Sequence, residues 1–525
     1  MRLPLHRRQL VLIALLAAVL AACAPAELGE IIPTRTPLPP PTDTPPPPTV
    51  TPTTTPIPTL TPTPRPQATA TPESALTRRG PWLVFNAIRQ ADPARPHGLF
   101  AVNADGSALT QLVEDDVVGF AGQDAASPAS ARLAYVAATR EAGAIRELAL
   151  KILRVPDGQV YAAASLLPPG YQPPGPAEAD DEARLALQAV EMQTPRWASD
   201  GDHVAFVALR EGPTADVYLH NLFTRSTVRL STEPGHAVDP VWSPDGRFIV
   251  YGVRHAEVEQ AAAATADELR VAWTNGSGDR QIYEPTRDGE RFFGWLAYNV
   301  VLVASYARDC GYTQLRAIDV DSTVERVLWP GFFRQAAFAP GSGRVLLESG
   351  ALNPACEAED APAGLHVVGA EGPPQAVVFE DAPGPVQSIR WAETQGAFTV
   401  TLGEFGQPPS GIARVTPAGE SAPLERPPGL RALNSPDEQL MAWYGDGSAG
   451  QSGLWVGPRD GLPEPIYDQS VSWVTWSPDS RALFFMRPAG SSDRLAYVAL
   501  RPAFAPVPLT EGLEVRAAAW VYRPR

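Results

Sequence analysis

Three cysteines, Cys23, Cys310 and Cys356, are the most specific chemical marks in this 525-residue chain. None sits in a Cys-x-x-Cys or comparable ligand spacing, so neither a structural metal nor any other cofactor is expected. The seven histidines, His6, His97, His203, His220, His236, His255 and His366, are scattered singly, without His-x-x-x-His or His-Glu-x-x-His pairs. A Gly-x-Ser-x-Gly nucleophile elbow is missing. Its nearest likenesses, Gly276-Ser277-Gly278 and Gly450-Gln451-Ser452-Gly453, read as turns. Asp200, Asp245, Asp437 and Asp479 recur at one place in a repeat, which marks them as turn formers, because a short carboxylate caps nearby backbone N–H groups. No catalytic residue is assigned, and the chain is expected not to be an enzyme.

The elements that must position these residues begin with an address. Arg2, His6, Arg7 and Arg8 precede an uncharged apolar run from Leu10 to Ala22 that is short for a membrane span. The run ends in Leu20-Ala21-Ala22-Cys23, which resembles the lipobox of bacterial lipoproteins. That resemblance implies a signal peptide over 1–22, cleavage before Cys23, and lipid on its thiol. Residues 23–80 then read as a tether. Proline alternates with threonine from Pro37 to Pro66, and proline both fixes φ and removes backbone donors, so an extended, disordered spacer is expected.

Beyond residue 80 a period governs the chain. Trp242-Ser243-Pro244-Asp245-Gly246-Arg247-Phe248 is its clearest copy, and Trp476-Ser477-Pro478-Asp479-Ser480-Arg481 repeats it. Weaker copies open at Trp197, Phe338 and Asn434, and degenerate ones at Ala126, Trp295, Trp391 and Trp520. From Trp197 onward the spacing stays between 42 and 53 residues. Short alternating runs broken by Gly, Pro and Asp fit four strands per unit rather than helical repeats. The reading is all-β: a single β-propeller over 81–525, of four-stranded blades, eight being favoured within seven to nine. The anchoring aromatics are expected in the core between blades. The C-terminal run Val515–Trp520 supplies the inner strand that Pro81–Leu112 lacks, so both chain ends share one blade. An insertion at about 166–193 carries an amphipathic stretch, Ala177–Met192, that reads as a helix covering an edge or the channel mouth.

The Trp-Ser-Pro-Asp-Gly-Arg units, together with Ala104-Asp105-Gly106 and Thr110-Gln111-Leu112, resemble the WD40-like repeats of TolB-type propellers over roughly 82–525. The likeness implies a fold shared by translocation proteins, lipoproteins and the propellers of oligopeptidases, and does not choose among them.

Function is read from what remains. A formal net charge of −16 at pH 7 argues against nucleic acid as a partner. Cys310 and Cys356 fall in loops after the second strands of adjacent blades, where an exported protein is expected to join them as a disulfide. Residues placed near the starts of inner strands form a candidate binding rim: Arg196, His236, Asp239, Arg390, Glu514 and Arg516. The leading expectation is a monomeric, lipid-anchored propeller facing the periplasm or cell exterior that binds protein, peptide or glycan. The alternatives are a propeller lyase or hydrolase acting on polymers, and a structural envelope component.

Overall fold

A computed structural model describes residues 76–523, with breaks at 90–97, 121, 173–180, 192, 233–234, 256–265, 284–288, 357–363, 371, 380–383, 393–395, 405–409, 424–430, 447–451, 459–462, 488–495 and 510–512. The expected signal peptide, Cys23 and most of the tether lie outside these residues.

Eight antiparallel sheets follow one another, seven of four strands and one of seven. The seven-stranded sheet is two blades fused through one strand, Glu325–Ala339. Its first part pairs as the outer strand of the fifth blade, and Phe333–Ala339 pairs as the inner strand of the sixth. The described residues therefore form eight continuous sheets, comprising nine blade units. This lies within the expected range, and the unit count matches the literal count of anchors.

Ring closure follows the expected scheme. The C-terminal strand Leu513–Val521 pairs with Trp82–Arg89, setting Leu83 opposite Trp520. The closing joint is reinforced from the second blade, where the Gln123 amide donates to the Trp520 carbonyl at 3.0 Å and accepts the Trp520 N–H at 2.9 Å.

Second strands such as His203–Ala208, Phe248–Arg254 and Ala482–Met486 are nearly continuous apolar runs because both faces of each sheet are covered by neighbouring blades. The resulting cores each draw on two blades: Leu83 and Phe85 of the first pack with Phe484 and Val498 of the ninth. Each such side chain contributes roughly 1.5–3 kcal/mol when fully buried. The anchors are in these cores, with Trp197, Trp295, Trp476 and Trp520 all buried.

The repeat turns show why Ser and Asp recur. Ser243 Oγ accepts the Phe248 N–H at 2.9 Å and donates to Asp245 Oδ1 at 2.7 Å, while Gly246 supplies φ = +72°. Ser435 with Asp437, and Ser477 with Asp479, repeat this arrangement. The recurrent aspartates are turn formers.

Candidate functional site at the mouth of the ring

The inner strand of the fourth blade, His236–Trp242, does not pair evenly with its neighbour. Its register slips between Val238 and Val241, and the bulge forces Asp239 to φ = +50° immediately before Pro240. A residue preceding proline favours extended backbone, so a left-handed conformation there is strained. What the strain achieves is display: Asp239 is exposed, and its carboxylate has no partner among the described residues. Beside it opens a cleft of about 230 Å³ between the fourth and fifth blades, with Val238 and Phe292 as apolar wall and Asp239, Arg254 and Arg291 as polar lining.

Arg291 stands on the inner strand of the fifth blade, Glu290–Ala297. Its guanidinium bonds the Tyr312 hydroxyl and stacks on the rings of Phe293 and Tyr312, with centroids 5.4 and 5.2 Å away. None of these contacts neutralises its charge. Directly before it, Glu290 is fully buried with Arg316, whose Nη2 donates to Glu290 Oε2 and to Ser305 Oγ, each at 2.9 Å. That pair fixes the strand from which Arg291 projects. The hairpin carrying Tyr312 is tied down by the Cys310–Cys356 disulfide (Cα–Cα 5.7 Å) and by the Leu352 N–H donating to the Cys310 carbonyl at 2.9 Å. The expected disulfide is present.

On the other flank lies the insertion. Its helix spans Asp181–Glu191, within the expected Ala177–Met192, whose residues 177–180 and 192 are outside the described set. Ala186 and Val190 are buried against Phe206, Ala208 and Leu209 of the third blade. The inner strand of that blade is only Arg196–Trp197. Where it stops short, the Gln193 side-chain amide takes over, donating to the Val207 carbonyl and accepting the Val207 N–H as a strand backbone would. At the helix end, Arg140 Nη2 bonds Glu191 at 2.9 Å and Arg140 Nε bonds Asp116 at 2.8 Å. At its start, Glu182 Oε1 lies 2.7 Å from His236 Nε2.

The expected rim residues divide accordingly. Asp239 lines the cleft. His236 is buried under the helix, with Nδ1 accepting the Ala215 N–H at 3.1 Å. Burial lowers its imidazole pKa, against the pull of Glu182. Arg196 pairs with Asp124, and its carbonyl accepts the Trp242 indole N–H at 3.0 Å, so it stitches blades together. Arg390 is exposed on the inner strand of the seventh blade, and Glu514 and Arg516 face each other at 3.6 Å on the closing strand. The six residues therefore do not form one cluster.

The other described histidines serve packing and turns. His203 bonds Asp200 at 2.7 Å, His220 sits between Thr227 and Tyr161, and His366 stacks on Trp329. Among the described residues no three metal-ligating side chains converge.

Arg291, Glu182 and Gln193 were missed in the sequence. For Arg291 a signal existed: it precedes Trp295 by the same offset at which Arg334 precedes Phe338 and Arg516 precedes Trp520.

No protein-family model matches the chain. A 65-residue stretch is 37% identical to an uncharacterized peptidase, YuxL, of Bacillus subtilis, covering 12% of this chain and 10% of that protein. A 58-residue stretch is 33% identical to the Tol-Pal system protein TolB of Alcanivorax borkumensis, covering 11% and 13%. The matched stretches thus span only about a tenth of these relatives. Among solved structures, a eukaryotic initiation factor covers 84% of this chain and 99% of its own at 14% identity and a TM-score of 0.52. TolB from Acinetobacter baumannii covers 57% and 67% at 14% identity and 0.28. Porphyromonas gingivalis dipeptidyl peptidase 4 covers 75% and 59% at 12% identity and 0.46.

These findings correct the expectation that the chain is not an enzyme, since one sequence relative bears the name of a peptidase. A missing serine-hydrolase elbow speaks to one catalytic class only, and a propeller repeat is shared by proteins with and without catalytic parts. In fold, the chain is a TolB-like β-propeller.

Proposed function

We propose that this chain is a membrane-tethered, extracytoplasmic binding module whose ligand, a protein, peptide or glycan, docks in the cleft beside Asp239 and Arg291. The observation that carries the reading is Asp239 itself: an exposed carboxylate held at φ = +50° before a proline, on a bulge that opens the cleft. Strain maintained at a concave polar site is better explained by recognition than by packing. The rigid hairpin behind Arg291 and the stitched ring supply a preorganised frame.

The address reading completes the proposal: residues 1–22 as signal peptide, Cys23 as the lipidated residue, and 23–80 as the tether before a propeller over 81–525. The Cys310–Cys356 disulfide supports it, because such bonds persist in oxidising compartments. No helix of the described residues is long and apolar enough to cross a membrane.

The test is binding of the detergent-solubilised full chain to peptide and glycan arrays, compared with Asp239→Asn and Arg291→Gln. Ligands retained by the native chain and lost in both variants support the cleft. Ligands bound equally by all three overturn it. Following the retained ligands for product release separates binding from turnover.

A further inference from the structure

The contact between His236 and the insertion helix is chemically asymmetric. Because the Ala215 N–H points at Nδ1 at 3.1 Å, that nitrogen must carry a lone pair. The proton of the neutral ring then sits on Nε2, facing Glu182 Oε1 at 2.7 Å. The imidazole is wholly buried, whereas the Glu182 side chain is 45% exposed. A second proton has only one place to go, Nδ1, where it would meet the Ala215 N–H head-on.

Other charges around the ring do not favour that cation. Arg254 is directly opposite His236 in the strand ladder, and His255 follows it, near Glu268 (3.3 Å) and with its N–H on Asp267. On the third blade, Asp216 is the nearest carboxylate, but Arg229 at 2.8 Å and Ser231 already engage it. Glu182 is the one attraction from the helix, and the lowered imidazole pKa says that burial prevails over it.

We propose that the helix Asp181–Glu191 is an acid-released strap, held at its first turn by neutral His236 through Glu182 and freed when His236 takes a proton at Nδ1. On protonation the ring must give up the Ala215 bond and turn toward water, which removes Nε2 from Glu182. The far end is held by exposed contacts of Arg140 with Glu191 and Asp116, which are individually weak. Release bares the start of the strand that carries Asp239, together with the apolar bed of Ala186 and Val190. The proposal does not depend on which ligand the cleft takes.

The sign follows from linkage. The released state has an ordinary imidazole, titrating near pH 6.5, and the strapped state has a lower pKa. Strapping is therefore fully stable above about pH 6.5 and weakens as pH falls below it.

Hydrogen exchange of the full chain at pH 7.5, 6.5 and 5.5, corrected for intrinsic rates, tests this. Helix amides and the Ala215 amide are expected to lose protection by up to about tenfold per pH unit below 6.5, while second strands of other blades hold. His236→Gln, which cannot titrate, removes the response, and Glu182→Gln, which still accepts from Nε2, keeps it. Flat protection in the native chain, loss shared by His236→Gln, or loss abolished by Glu182→Gln each overturns the proposal. Should His236→Gln not fold, nitrogen chemical shifts of the native imidazole decide: the neutral Nε2–H form at pH 7.5 is required, and an Nδ1–H or doubly protonated ring refutes it.

Discussion

The indole N–H of Trp242 donates to the carbonyl of Arg196, 3.0 Å away in the preceding blade. Trp197 reaches Ala125 and Trp476 reaches Leu433 in the same way, so each anchor is stitched to the residue just before its predecessor's anchor. Trp295 is buried without such a partner. Trp242→Phe is expected to cost about 1 kcal/mol more than Trp295→Phe, since only the first change leaves a carbonyl unpaired. Denaturant midpoints of the two variants check this, and equal losses would reduce the indole contact to packing alone.

The buried pair beneath Arg291 gives a second expectation. Arg316→Met leaves Glu290 charged and fully enclosed, at a cost of roughly 3–5 kcal/mol. Adding Glu290→Gln removes the stranded charge, so the double variant should recover part of the loss. Additive losses in a thermodynamic cycle would refute the coupling.

Reduction of Cys310–Cys356, which are 46 residues apart, is expected to remove about 2–4 kcal/mol. The earliest exchange should occur around Arg308–Gly311, because that hairpin loses its tie to the sixth blade. Unchanged melting of a Cys310→Ala/Cys356→Ala variant would count against it.

Stability and recognition should part at Asp239. Glycine accepts φ = +50° without strain, so Asp239→Gly is expected to match or exceed native stability by up to about 1 kcal/mol, whereas Asp239→Ala keeps a Cβ where it is disfavoured. Both lose ligand retention. A glycine variant that binds normally would detach the strain from function.

The tether reading is checked by Cys23→Ser in the native host. Loss of acyl labelling and release from membrane fractions are expected, because stable anchoring needs the chains that this thiol would carry. Retention of both would move the anchor elsewhere.

How much of this was legible beforehand differs by element. Ser-Pro-Asp-Gly turns and aromatic anchors announce themselves, since φ > 0 and inter-blade burial each admit few residue types. The fusion of the fifth and sixth blades did not, because Pro330 and Gly331 read as a break while the strand Glu325–Ala339 carries its pairing past them. The short inner strand of the third blade was equally hidden. Nothing local marks Gln193 as a substitute for backbone until Val207 is beside it.

The same division holds for the site. Periodicity alone dictated a ring of sheets, the shared closing blade and the two cysteines that meet, because repeats impose one geometry on every copy. Tertiary structure alone decided that Arg196 is a stitch, that His236 is sealed beneath a helix, and that Asp239 is left facing a cleft with Arg291. The reason is distance along the chain: Glu182 and His236, or Asp239 and Arg291, are 54 and 52 residues apart, and only blade packing brings such groups within reach of each other.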